Sequence, residues 1–73
     1  MMINAIIHAD QDGYTVECLV AAVVTQGSTF DEAVRNLNEA LALHLEGEDL
    51  RALGLSEPLR VRLTFEASFS LIR

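Results

Sequence analysis

From Leu59 to Leu71 the chain alternates apolar and polar side chains without a lapse. Leu59, Val61, Leu63, Phe65, Ala67, Phe69 and Leu71 share one parity, and Arg60, Arg62, Thr64, Glu66, Ser68 and Ser70 share the other. A period of two belongs to a β-strand, whose successive side chains point to opposite faces. Strands usually run about 5–6 residues, so this one is too long for an ordinary small sheet. Either the chain turns near Ala67-Ser68, or the far end leaves its own sheet and pairs with another subunit, because an exposed apolar edge has to be covered. In a chain of 73 residues a single core is marginal, which favours the subunit. The expected state is a homo-oligomer joined through this strand, with Leu63, Phe65, Phe69 and Leu71 at the interface.

Residues 1–73 have room for one domain only. With 51% hydrophobic and 22% charged residues, four Gly and one Pro, the composition is globular rather than disordered. The longest apolar run, Leu19-Val20-Ala21-Ala22-Val23-Val24, is far shorter than the about 20 residues of a membrane span. The start Met1-Met2-Ile3-Asn4 lacks the basic opening of a signal peptide, and the single Cys18 has no partner for an internal disulfide. Both features lead to the expectation of a cytoplasmic protein.

Net charge is −6, with five Arg, no Lys, four Asp and seven Glu. Duplex binding relies on neutralising phosphates with basic side chains, so direct nucleic-acid binding is not expected. Residues 1–50 carry nine acids against one Arg, while residues 51–73 carry four Arg against two Glu. An acidic body with a mildly basic tail suits a basic protein partner.

The remaining pattern resolves into three strands and a helix. Ile3, Ala5 and Ile7 alternate with Met2, Asn4, Ile6 and His8, a strand covered at least in part on both faces. Asp10-Gln11-Asp12-Gly13 then signals a hairpin, since Gly takes positive φ without steric cost. Tyr14, Val16 and Cys18 alternate with Thr15 and Glu17 in the antiparallel return, and the apolar run from Leu19 is expected to continue as a third strand to Gln26, ending at Gly27. Thr29-Phe30-Asp31-Glu32 is a capping box, in which the Thr29 hydroxyl accepts from the Glu32 N–H while the Glu32 side chain reaches back. Phe30, Val34, Leu37, Leu41 and Leu45 fall on one helical stripe, Leu43 lies off it, and Gly47 is the expected stop. Residues 48–54 read as a short helical turn ended by Gly54, and Ser56-Glu57-Pro58 returns the chain to extended structure.

Catalytic and metal-binding constellations fare poorly. In a calcium-loop alignment of the hairpin the first ligand falls on His8 and the bidentate Glu on Leu19. Neither His8 nor His44 has neighbours at metal-ligand spacing, and Cys18 lies on the apolar parity of its strand. The strand acids, Glu17 and Glu66, sit on polar parities, so no pair of inward carboxylates is available for hydrolysis. No enzyme, metal or cofactor is expected.

The order of these elements resembles the HicB antitoxin family over residues 2 to about 46. The resemblance rests on Asp10-Gln11-Asp12-Gly13-Tyr14, on Thr25-Gln26-Gly27 followed by Thr29-Phe30-Asp31-Glu32-Ala33, and on Asn38-Glu39-Ala40-Leu41. It implies an α+β fold: a three-stranded antiparallel sheet, one amphipathic helix and a long C-terminal strand, the partial RNase H-like β-β-β-α-β unit. It also implies a non-catalytic domain that neutralises a small basic ribonuclease toxin of the HicA type by occlusion, with Glu17, Glu32 and Glu39 as contact candidates. Asp12, Gly13, Tyr14, Gly27, Thr29, Glu32 and Ala33 are the structural motif. Physics accounts for part of it, since Gly27 frees the strand-to-helix turn and Ala33 is small enough for close packing.

Two departures stand out. The family's Pro-rich kink between the second and third strands is replaced by Leu19-Val20-Ala21-Ala22. Many members also carry a C-terminal DNA-binding module, absent from these 73 residues, so autorepression by this chain alone is not expected. The alternative reading is an orphan oligomeric scaffold or small-ligand module of the same fold with no toxin. RNase H-like catalysis would require Asp10 or Asp12 to converge with Glu17 or Glu66 on a divalent metal.

Overall fold

The computed structural model describes residues 1–20 and 22–72. Its elements are β1 (Met2–Asp10), β2 (Gly13–Cys18), β3 (Val24–Gly27), α1 (Phe30–Leu45) and β4 (Arg60–Glu66). They build a four-stranded sheet in the order β3-β2-β1-β4. The first three strands are antiparallel neighbours, and β4 enters beside β1 in parallel. This is the expected α+β architecture in β-β-β-α-β order.

The parity of β1 decides which face is inside. Its register places Ile7 between Val16 and Phe65, Ala5 between Cys18 and Leu63, and Ile3 beside Val61, so apolar rows run across the sheet on one face. Ile3, Ala5, Ile7, Val16 and Cys18 are buried there under Ala33, Leu37 and Leu41 of α1. Leu55, from the loop before β4, closes the same core. No local pattern marks Leu55 as a core residue, because its burial depends on the irregular turn that carries it.

The helix begins as its sequence dictates. Glu32 N–H donates to the Thr29 hydroxyl at 3.1 Å, whereas the Glu32 carboxylate accepts from the Ser28 hydroxyl at 2.9 Å rather than reaching the Thr29 backbone. Gly47 follows the C-cap with φ +74°, and Leu43 points into solvent as its position predicts. Gly54, also at φ +74°, ends the turn whose N–H groups at Leu53, Gly54 and Leu55 return to Leu50 and Arg51.

One expectation about strands is corrected. The run from Leu19 does not continue as a third strand, because β3 starts only at Val24. Cys18 N–H donates to Val23 O at 2.8 Å, and Ala22 takes φ +50°, so the chain reverses within the run. Antiparallel neighbours require that reversal, yet residues 19–24 contain no Gly, Pro, Asn or Asp to announce it. Leu19 and Val20 are exposed on the loop, and Ala21 lies outside the described residues.

Of residues 59–71, Arg60–Glu66 pair with β1 within the subunit. β4 ends at Glu66, whose partner His8 lies two residues before the end of β1 at Asp10. Ala67 to Ile72 have no regular structure, and Phe69 and Leu71 are 90% and 76% exposed. Of the residues expected at a subunit interface, Leu63 is half-buried and packs on the core of its own chain. Phe65 is exposed, with its ring 6.4 Å from that of Tyr14.

α1 lies closest to β3 and β2, and Gly27 allows it. A Cβ at Gly27 would collide with the backbone N of Ala33 and stand 2.7 Å from its Cα. Overpacking against backbone costs about 1–3 kcal/mol or more. Gly27→Ala should therefore lower stability in urea unfolding by at least about 2 kcal/mol. Gly47→Ala should cost roughly 1 kcal/mol from positive φ alone, because no atom lies within 4 Å of the added Cβ.

Candidate functional site

The hairpin and the helix start, distant in sequence, meet at the β3 end of the sheet. Gln11 and Asp12 form the loop, and the positive φ that the turn needs falls on Gly13, at +142°. Asp12 N–H donates to Asp10 Oδ1 at 2.8 Å and the Thr15 hydroxyl to Asp10 Oδ2 at 3.0 Å. Tyr14 pairs with Gly27 across the β2–β3 ladder. A side chain at Gly13 would strike Gly27 O and come within 2.9 Å of Ser28 Cα. The two glycines thus let backbone rest on backbone where the two halves of the sequence motif touch.

Their union leaves a hollow of about 290 Å³ lined by Asp10, Asp12, Tyr14, Gln26, Gly27, Ser28 and Glu32. Tyr14 forms one wall and meets Phe30 edge-on, with ring centroids 5.9 Å apart at 86°. Asn36 Nδ2 donates to Gln26 O at 2.7 Å and ties the floor to the helix. The N–H of Asp12 and the hydroxyl of Thr15 hold the Asp10 carboxyl below the usual carboxylate range. At neutral pH Asp10, Asp12 and Glu32 present negative charge suited to a cationic group.

The sequence-derived candidates are placed as follows. Asp12, Gly13, Tyr14, Gly27 and Glu32 assemble around the hollow, with Thr29 capping the helix and Ala33 fully buried beneath Gly27. Glu17 is exposed on the sheet face turned away from the helix, between Ile6 and Val24 in the ladder. Glu39 is exposed on α1. The three glutamates therefore occupy separate surfaces, and only Glu32 joins other carboxylates. Asp10, Gln26 and Ser28 were not among the contact candidates, and the Tyr14↔Gly27 pairing that brings the hairpin to the helix start is what places them at the hollow.

A UPF0150 protein of Helicobacter pylori is 41% identical to this chain over 46 residues. The match spans 62% of this chain and 64% of that protein, under two thirds of either. No family model matches the chain, and no solved structure matches it.

Other chemistry-bearing residues are dispersed. His8 pairs with Glu66 across β1 and β4, and the two line a second hollow with Ala9, Ala67 and Ser68. His8 Nε2 has no hydrogen-bond partner among the described residues. His44 is exposed on the last turn of α1, and Cys18 is free and buried. Among the described residues no three His, Cys, Asp or Glu side chains converge to hold a metal, so Asp10 and Asp12 do not meet Glu17 or Glu66 in such a cluster. No described helix is long and apolar enough to cross a membrane.

The Asp10 contacts set an acid dependence. A carboxyl whose folded pKa lies below its ordinary 3.8 adds stability that is fully present above that value and is lost as the pH falls below it. Asp10→Asn should lower the urea midpoint at about pH 7, and the difference from the parent chain should shrink by about pH 2.5. Paired unfolding curves at the two pH values measure it.

Proposed function

We propose that this chain is a non-catalytic protein-binding domain, a HicB-like antitoxin or relative, that neutralises a small basic ribonuclease toxin of the HicA type in the cytoplasm by occlusion. The observation that carries the reading is the meeting of the two motif halves in one acidic hollow, on a domain of net charge −6. The field of the domain steers a basic partner toward it, and the hollow offers three carboxylates to an Arg or Lys of that partner. Glu32 is then the contact residue of first rank. Glu17 and Glu39, on other surfaces, would serve only a partner that wraps the domain or docks elsewhere.

Occlusion asks only for a complementary surface that covers the toxin's RNA-binding face, and no group in this domain needs to act on a covalent bond. The reading involves no cofactor and no direct contact with nucleic acid. Charge complementarity of this kind acts mainly on encounter rate and selectivity, and salt weakens it.

The test combines the purified chain with a small basic ribonuclease encoded beside it. Binding and suppression of RNA cleavage are expected at near-stoichiometric amounts. Asp12→Lys combined with Glu32→Lys should weaken both by about tenfold or more, while Glu17→Lys leaves them nearly unchanged. Neither binding nor inhibition by the parent chain contradicts the antitoxin reading and leaves the toxin-free scaffold in its place.

A further inference from the structure

The free edge of β4 and the tail beyond it are unpartnered in the single chain. Arg60 N–H donates to Met1 O at 3.0 Å, so the even residues of β4 turn their backbone groups toward β1. Along a strand these groups alternate in direction, which leaves those of Val61, Leu63 and Phe65 facing outward at the edge of the sheet. The side chains of the same three residues lie on the helix side, where α1 covers β4 incompletely. Val61 and Phe65 are exposed there, and an apolar groove of about 140 Å³ runs between Val61 and Leu63 on one wall and Val34, Leu37 and Leu41 on the other. Residues 67–72 follow the end of β4 and keep the alternation, with Phe69 and Leu71 on the parity of Leu63.

We propose that the occupant of this edge is a second copy of the chain, its β4 and following residues running antiparallel to the first across a two-fold axis at Thr64. An isologous antiparallel pair brings each apolar residue opposite another apolar residue when the axis passes through a residue of the strand. Side-chain chemistry then selects among the possible axes. An axis at Thr64 sets Arg62 opposite Glu66 twice, Leu63 opposite Phe65 twice, Val61 opposite Ala67 and Leu59 opposite Phe69, with Thr64 facing itself. An axis at Leu63 also makes two ion pairs, Arg60 with Glu66, but puts the large Phe69 ring opposite Glu57. An axis at Phe65 makes no ion pair, and one at Glu66 sets two like charges face to face. The Thr64 register joins two ion pairs to an inner row that stays apolar out to Leu59 and Phe69.

Two details support a copy over another strand. The charges that commonly protect an edge from pairing are here self-complementary, so they permit antiparallel self-pairing instead of blocking it. The tail also reaches what the groove lacks: the partner's residue 67 lies against Val61 and its residue 69 against Leu59, on the face toward Leu37 and Leu41. Pairing would continue the sheet from four strands to eight and give residues 67–69, which pair with no strand in the single chain, a neighbour.

Light scattering at micromolar concentration tests the proposal on the whole chain. The expected mass is twice the 8.0 kDa of the chain. Arg62→Glu and Glu66→Arg, both at exposed positions of the open face, should each weaken the dimer about tenfold by turning two attractions into repulsions, and the double variant should restore it. Phe69→Asp should also weaken it without unfolding the chain, because Phe69 is 90% exposed in the subunit. In a Cys18→Ala background, Thr64→Cys should give a disulfide-linked dimer on mild oxidation. A monomer at these concentrations overturns the proposal, whatever other protein binds the edge. So does a dimer that the double charge exchange fails to restore.

Discussion

The arrangement of this domain depends on the close approach of Gly27 to Ala33. A strand can hand over to a helix in many ways, but here the first turn of α1 rests directly on the end of β3, with no room for a Cβ between them. That contact fixes which strands the helix covers. Seated over β3 and β2, it seals Val16, Cys18 and the inner row of β1, and its reach toward β4 ends in a groove beside Val61 and Leu63. The acidic hollow and the incompletely covered edge are two results of the same placement. One lies where helix and hairpin meet, the other where the helix leaves the sheet uncovered.

In the hollow, the residues that close the fold also gather its charge. Gly13 and Gly27 are needed because backbone touches backbone, and Tyr14 and Phe30 pack edge to face above them. The same packing holds Asp10, Asp12 and Glu32 around one opening. A chain of this size has little surface to set aside for a separate binding apparatus, so the turn that closes the fold also carries its concentrated charge.

What was legible in the chain was local. The parity of Ile3, Ala5 and Ile7, the Asp12-Gly13 hairpin, the Thr29 cap and the helical stripe each follow from neighbours within a few residues. What was not legible depended on distant partners. The reversal between Leu19 and Val23 is imposed by β3 having to run back along β2, and no turn-forming residue marks it. The pairing of β4 with β1 joins residues more than fifty positions apart, and it stops at His8↔Glu66 with no break in the alternation to mark it. The grouping of Glu32 with Asp10 and Asp12, and its separation from Glu17 and Glu39, likewise follow from strand pairing rather than from spacing along the chain.

In the proposed dimer the outer edge of β4 is covered by a second copy. Amide hydrogen exchange across this strand reads that edge residue by residue. In a single subunit the N–H groups of Arg62, Thr64 and Glu66 face β1, and those of Val61, Leu63 and Phe65 face water. The account predicts slow exchange at Leu63 and Phe65 as well as at Arg62 and Thr64. Protection that alternates along the strand, with Leu63 and Phe65 exchanging as freely as a loop, would contradict it.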